Sequence, residues 1–233
     1  MINNLFESMN FDLSKAQYEK LEKYYSFLVS ENEKYNLTAI IEYKDVFIKH
    51  FMDSMLIKNI GIDINNKNIM DVGTGAGFPS LPIKILEPTI EVTGLDSLNK
   101  RITFLNQLVD TLELDNCHFI HGRAEDFGQD KKYREVYDIA VSRAVAELRL
   151  LLELVMPFVK TNGYFIAYKS IKTKTELNDA QNAFKCMKSK LVDVKEIILP
   201  EGFGKRDLLI IQKMGNIEKK YPRKAGVPKK NPL

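Results

Sequence analysis

Apolar positions fall into two rhythms along the chain. Leu21, Tyr24 and Leu28 recur at steps of three and four behind Ser14 and Gln17, which have capping-box spacing, so a helix is predicted over about 14–33. Asn36-Leu37-Thr38 breaks that pattern, and a second helix is predicted from near Tyr43 or Asp45, with Phe47, Ile48, Phe51 and Met55 repeating at three and four. On it His50 and Asp53 stand one turn apart, and the plain expectation for that pair is a hydrogen bond along the helix. Gly61 closes this helical preface. From Asn68 onward short apolar runs alternate with amphipathic stretches, the pattern of a parallel sheet with helical crossovers. Strands are predicted at 69–73, 90–96, 118–122, 137–142, 163–169, 195–199 and 206–213, with helices at 99–112 and 144–159. Only Pro200-Glu201-Gly202-Phe203-Gly204 separates the last two strands, so they should form a hairpin with an antiparallel final strand.

The first strand runs into Asp71-Val72-Gly73-Thr74-Gly75-Ala76-Gly77-Phe78-Pro79. Glycines there let the backbone turn tightly and approach a ligand, and Pro79 and Pro82 suit the first turn of a following helix. A dinucleotide fingerprint would put its third glycine where Phe78 stands. The spacing instead resembles the first motif of class I S-adenosylmethionine-dependent methyltransferases, D/E-x-G-x-G-x-G, with Asp71, Gly73, Gly75 and Gly77 as candidate cofactor residues. S-adenosylmethionine has no pyrophosphate, so such a loop need not cradle phosphate. The resemblance implies an α/β fold with a Rossmann-like seven-stranded sheet whose last strand is antiparallel.

In open α/β sheets ligands bind beyond the carboxyl ends of the strands. The second strand ends at Asp96, whose carboxylate can accept two hydrogen bonds from ribose hydroxyls or, alternatively, cap the next helix. After the third strand, Ala124 and Glu125 stand where such proteins hold adenine. The fourth ends Val141-Ser142-Arg143-Ala144, without the Asn/Asp-Pro-Pro-aromatic turn of amino-group methyltransferases. Cys117 begins its strand and so lies at the wrong end for a pyrimidine C5 nucleophile. The strand ends do offer Arg143, Lys169, Lys205 and Arg206, cations suited to phosphate and to the O6/N7 edge of guanine.

Charge changes the picture at one end. The net charge of +3 is unevenly placed: the stretch 214–233 holds six Lys or Arg against Glu218, or +5, leaving −2 for the rest. With Pro222, Pro228 and Pro232 this tail is expected to be extended, either tracking phosphates or serving as a solubilising terminus. Three parts are therefore expected: a helical extension at 1–61, a catalytic domain at 62–213 and the basic tail at 214–233. The N-terminus lacks the basic and apolar regions of a leader, and no apolar run approaches a membrane span, so a cytoplasmic protein without membrane contact is expected. The three histidines and two cysteines show no metal-ligand spacing, and Cys117 and Cys186 read as free thiols in a strand start and a helix.

Several motifs in order narrow the reading. Asp71 to Pro79, Leu95-Asp-Ser-Leu-Asn-Lys-Arg101, Ser142-Arg-Ala144, Asn36-Leu-Thr-Ala-Ile40, Ile48-Lys-His-Phe51 with Asp53-Ser54, and Tyr221-Pro-Arg-Lys-Ala-Gly226 with Pro228 together resemble the bacterial small-subunit rRNA guanine-N7 methyltransferases, formerly glucose-inhibited division protein B. That resemblance implies a cofactor site at Gly73, Phe78, Ala124, Glu125 and Arg143, with Asp96 on the ribose by class analogy. It also implies 16S rRNA, naked or in an assembling 30S subunit, as partner of a monomer, with Lys169, Arg206 and Arg223 on the RNA and no general base. Asp207 stands where many relatives have histidine, which leaves any role of that position in doubt. Two other readings stay open: a class I methyltransferase acting on a small molecule or protein, and a non-catalytic ribosome-assembly factor.

Overall fold

Helix α2 (Lys15–Tyr35) starts on the capping box its sequence announces: the Ser14 hydroxyl accepts the Gln17 amide and the Gln17 side chain accepts the Ser14 amide. In this computed structural model, which describes residues 2–169 and 173–233, a short α1 (Ile2–Ser8) precedes it. Leu21, Tyr24 and Leu28 form its buried face, and Asn36 ends it in a left-handed conformation at φ +50°. The second predicted helix is present but not uniform: α3 (Tyr43–Val46) passes into a turn of π-helix (Phe47–Met52), then α4 (Asp53–Met55) and a 3-10 turn (Leu56–Ile60). The wider π turn lies under the two polar residues, His50 and Asp53, that the site uses.

Seven strands follow: β1 (Asn68–Val72), β2 (Glu91–Asp96), β3 (Cys117–His121), β4 (Tyr137–Arg143), β5 (Val159–Lys169), β6 (Ser189–Ile198) and β7 (Lys205–Lys213). They form one sheet in the order β3-β2-β1-β4-β5-β7-β6. The first five are mutually parallel, while β7 runs antiparallel to both β5 and β6, the hairpin expected from the short connection. The order of strand addition reverses at the parallel β1–β4 pair, so the carboxyl ends of β1 and β4 lie side by side while their connections leave in opposite directions and open a crevice there.

Crossovers cover both faces: α5 (Ser80–Leu86), α6 (Asn99–Thr111), α7 (Ala124–Phe127), α8 (Leu148–Val155), α9 (Thr173–Asp179) and α10 (Gln181–Cys186). One core joins α2, the composite helix at 43–60, α5 and α6 to one sheet face, and a second joins α8 and α10 to the other. The preface is thus part of the main core. The helix predicted to open at 144 begins only at Leu148, because Ala144 takes a left-handed φ of +56° and 145–147 stay irregular. That displaced turn lines the site. No helix among the described residues is long and apolar enough to cross a membrane.

The tail departs from expectation most. Instead of running free, it is seated on the body: Ile217, Tyr221 and Pro228 are buried, and a short α11 (Val227–Lys230) closes it. Arg134 donates to the carbonyls of Tyr221 and Ile217, and Gln129 donates to those of Lys219 and Pro222. Backbone carbonyls that an extended tail would show to water are satisfied by the body.

Candidate active site

The crevice at the β1–β4 reversal is a cavity of about 1270 Å³. One part is walled by the glycine loop, Leu95, Asp96, Gly122, Ala124, Glu125 and Arg143 to Ala146. The other is walled by Leu37, Thr38, Ile40, Lys49, His50 and Asp53 of the preface together with Tyr168, Lys169, Lys205 and Arg206.

The loop is shaped by its glycines in different ways. Gly73 and Gly75 line the cavity at φ +77° and +61°; a Cβ on Gly73 would strike Val145 Cγ2 at 2.5 Å, whereas on Gly75 it would meet nothing nearer than 3.9 Å. Gly77 faces away, and its Cβ would fall 2.6 Å from Tyr24 Oη and 2.7 Å from Leu81 Cδ1. So Gly77 lets helix α2 close on the loop, and the Tyr24 hydroxyl donates to the Ala76 carbonyl there. Asp71 is likewise fully buried outside the lining. It accepts the Ser80 hydroxyl at 2.6 Å and the Ser80 amide at 3.3 Å, tying the strand end to the start of α5. Burial pushes its carboxyl up to about 6 against the lowering effect of the Ser80 and Thr74 hydrogen bonds. Asp71 and Gly77 therefore hold the loop in shape rather than facing a ligand.

A loop that grips pyrophosphate needs free amides. Here the amides of Gly73 and Thr74 go to the Leu95 carbonyl, those of Gly77 and Phe78 to the Thr74 carbonyl, and that of Gly75 to Asp96 Oδ2 at 3.0 Å. The cradle suits a ligand that brings ribose and adenine close without a phosphate in the turn. Asp96 also accepts the Leu98 amide at 2.9 Å and Arg101 Nη1 at 3.0 Å. Three of roughly four carboxylate acceptor positions are then filled by the chain itself. One acceptor position remains open, and a second opens if Arg101 withdraws. Ala124 and Glu125 begin α7 at the neighbouring strand end, where Glu125 accepts the Gly226 amide of the tail at 3.1 Å.

Arg143 is the centre of the second wall. Its guanidinium donates to Asp53 Oδ2 at 2.7 Å, to Ser54 Oγ at 3.2 Å and to the carbonyls of Lys49 and His50, both at 3.3 Å. It lies 5.0 Å from the Phe78 ring centroid, and His50 stacks on the same ring at 4.5 Å. Phe78 lines the cavity but is only 7% exposed, with Tyr24 stacked on it at 5.3 Å, so it supports the wall more than it offers a face. Asp53 also meets Arg206 Nε at 2.8 Å. His50 and Asp53 thus turn to Arg143 rather than to each other, against the expectation of a local helix bond. Burial first, and Arg143 second, push the His50 imidazole down to about 3, so it is neutral.

The three cations expected on RNA are all engaged. Lys169 donates to Glu176 at 2.6 Å and to the Ala146 carbonyl at 2.7 Å, and Arg206 is held by Asp53. Arg223 lies outside the cavity, bonded to Glu153. Pairing of this kind leaves Lys205 and Arg206 partly exposed at the rim. Ser80, Tyr24 and Glu153 carry no functional signal in the sequence, where Tyr24 reads only as a core position of its helix; a serine after a glycine loop or a tyrosine on an apolar face looks like any other until the fold supplies its partner.

Comparison with known proteins decides the family. A family described as rRNA small subunit methyltransferase G matches residues 17–203. The chain belongs to that family. The Ribosomal RNA small subunit methyltransferase G of Streptococcus thermophilus (strain CNRZ 1066) is 49% identical over 233 residues, 97% of this chain and 96% of that protein. Its counterpart in Bacillus subtilis (strain 168) is 50% identical over 222 residues, 95% of this chain and 92% of its own. Solved structures bear out the family's class I methyltransferase fold. M. jannaschii TYW2 in complex with AdoMet has a TM-score of 0.56 at 15% identity, covering 77% of this chain and 80% of that one. Aeropyrum pernix fibrillarin with natively bound S-adenosyl-L-methionine has 0.52 at 14%, covering 69% and 73%.

Proposed function

We propose that this protein transfers a methyl group from S-adenosylmethionine to N7 of a guanine in 16S rRNA. When bound, S-adenosylmethionine supplies an electrophilic methyl on a sulfonium. The reading is carried by one observation: a cavity joining a glycine loop most of whose amides are spent to a cation-bearing wall whose carboxylates already accept hydrogen bonds from the chain. Among the described lining residues the carboxylates of Asp53, Asp96, Glu125, Glu147 and Glu176 all accept hydrogen bonds from the chain, and there is no cysteine. Such a site suits an acceptor that needs neither base nor protein nucleophile.

Guanine N7 has an in-plane lone pair, so no proton has to leave before it attacks. Holding acceptor and methyl in line supplies up to about 7 to 11 kcal/mol in well-oriented cases. The chain's part is to hold both. The loop and Ala124 bracket the cofactor, Asp96 takes a ribose hydroxyl, and Arg143 fixes the wall between the two parts. The methylated purine is cationic, and Arg143, drawn onto Phe78 and Asp53, is kept from lying over its ring. Lys169, Arg206 and their neighbours at the rim meet phosphate. On this reading 1–61 walls the acceptor, 62–213 carries the cofactor, 214–233 locks the body, and one copy of the chain suffices in the cytoplasm.

The test is incubation of 16S rRNA and of 30S particles with labelled cofactor, followed by cleavage at N7-methylguanine. Label at a cleavable guanine is expected; label on another base, or none, overturns the reading. Lys169→Ala and Arg206→Ala should weaken methylation and flatten its salt dependence while cofactor affinity survives.

A further inference from the structure

The preface contributes a chain of hydrogen bonds whose direction is forced. Arg143 Nη2 lies 3.4 Å from His50 Nδ1, and a guanidinium can only donate, so Nδ1 is the acceptor of a neutral ring. The ring proton is then on Nε2, which lies 2.9 Å from Thr38 Oγ1. That oxygen also receives the Ile40 amide at 3.0 Å. With both acceptor positions of Thr38 Oγ1 filled, its own hydroxyl proton has no partner among the described residues and serves as a donor.

Thr38 lines the preface side of the cavity between Leu37 and Ile40. Its backbone is fixed from α2: Asn32 accepts the amides of Leu37 and Thr38 at 2.8 and 3.0 Å and donates to the Thr38 carbonyl at 3.0 Å. The hydroxyl is therefore a placed donor on a pinned turn, aligned from β4 through a half-buried imidazole.

On the major-groove edge guanine shows the acceptor O6 beside N7, whereas adenine shows an amino donor at that place. A donor that cannot reverse accepts the first and rejects the second. We infer that Thr38 is the specificity-determining residue of the acceptor part, donating to guanine O6 and leaving the N7 lone pair free toward the methyl. His50 is its positioning residue. This inference rests on the guanine-N7 reading above.

The test compares wild type, Thr38→Val and Thr38→Ser on 30S particles carrying either guanine or 2-aminopurine, which keeps N7 but lacks O6, at the methylated position. Loss of one neutral hydrogen bond corresponds to about a tenfold change in kcat/KM. Wild type should therefore disfavour 2-aminopurine about tenfold. Thr38→Val should lose about tenfold on guanine and methylate both bases alike, with unaltered cofactor affinity by calorimetry, and Thr38→Ser should restore the preference. Wild type that treats both bases equally, or Thr38→Val that still prefers guanine, overturns the inference. Wild type that leaves N7-methylguanine nowhere overturns the functional reading and this inference together.

Discussion

Arg223 sets its guanidinium on the carboxylate of Glu153, with Nε to Oε1 at 2.8 Å and Nη2 to Oε2 at 2.6 Å. The Arg223 amide adds a third bond to Oε1 at 2.9 Å. Glu153 is fully buried on the leucine-rich α8, among Leu148, Leu151, Leu152 and Val155, so its charge is tolerable only while the tail is in place. Removing one partner of such a pair costs about 3 kcal/mol or more. Arg223→Ala should lower the urea midpoint accordingly, and deletion of 214–233 should do at least as much. Wild-type stability in either variant would show the tail to be a dispensable terminus.

Gly75 and Gly77 should fail differently. An alanine at Gly77 must push into Tyr24 and Leu81 and hold φ +96°, so Gly77→Ala should cost more than the about 1 to 2 kcal/mol of left-handed strain alone. Gly75→Ala carries only that strain but points a methyl into the cavity. Unfolding curves should therefore single out Gly77→Ala, and cofactor calorimetry Gly75→Ala.

Asp71 gives a pH signature. Its carboxyl is held at about 6 in the folded chain against an ordinary 3.8, so between those values the folded state binds the extra proton. Its contribution to stability therefore falls as pH rises from about 4 to 6, by on the order of 2 to 3 kcal/mol, and is level above. Asp71→Asn, compared with wild type by urea unfolding across that range, should lack the fall. Wild-type stability that rises with pH relative to Asp71→Asn over that range would contradict the burial.

Arg143 joins β4 to the preface through both arms of a planar guanidinium: Nη1 sits among acceptors of Lys49, His50, Asp53 and Ser54, Nη2 reaches His50 Nδ1, and the group lies over the Phe78 ring. Lysine keeps the charge but not that geometry. Arg143→Lys should lose about 2 to 3 kcal/mol of stability, the scale of charged hydrogen bonds, and raise the KM for both cofactor and RNA. A variant altered in only one of the two would place Arg143 on that side of the cavity alone.

Much of this is legible in the sequence. The helix cap at Ser14, the seven strands and the antiparallel ending follow from local periodicity and from a connection too short for a helix, and all are present. What stayed hidden depends on partners distant in sequence. His50 and Asp53 look like a helical pair until Arg143, far along the chain, arrives between them. Ala144 looks like a helix start, since nothing local announces its left-handed backbone. Arg223 looks like a free cation because the acid that claims it is a lone glutamate in a leucine-rich stretch.

The Glu153–Arg223 pair also ties two distant stretches of sequence into one closing step. The carboxylate on α8 and the guanidinium that claims it lie 70 positions apart, so the loop between them has to be ordered before the buried charge is matched. Docking of the tail and completion of the core around α8 are therefore two descriptions of the same event.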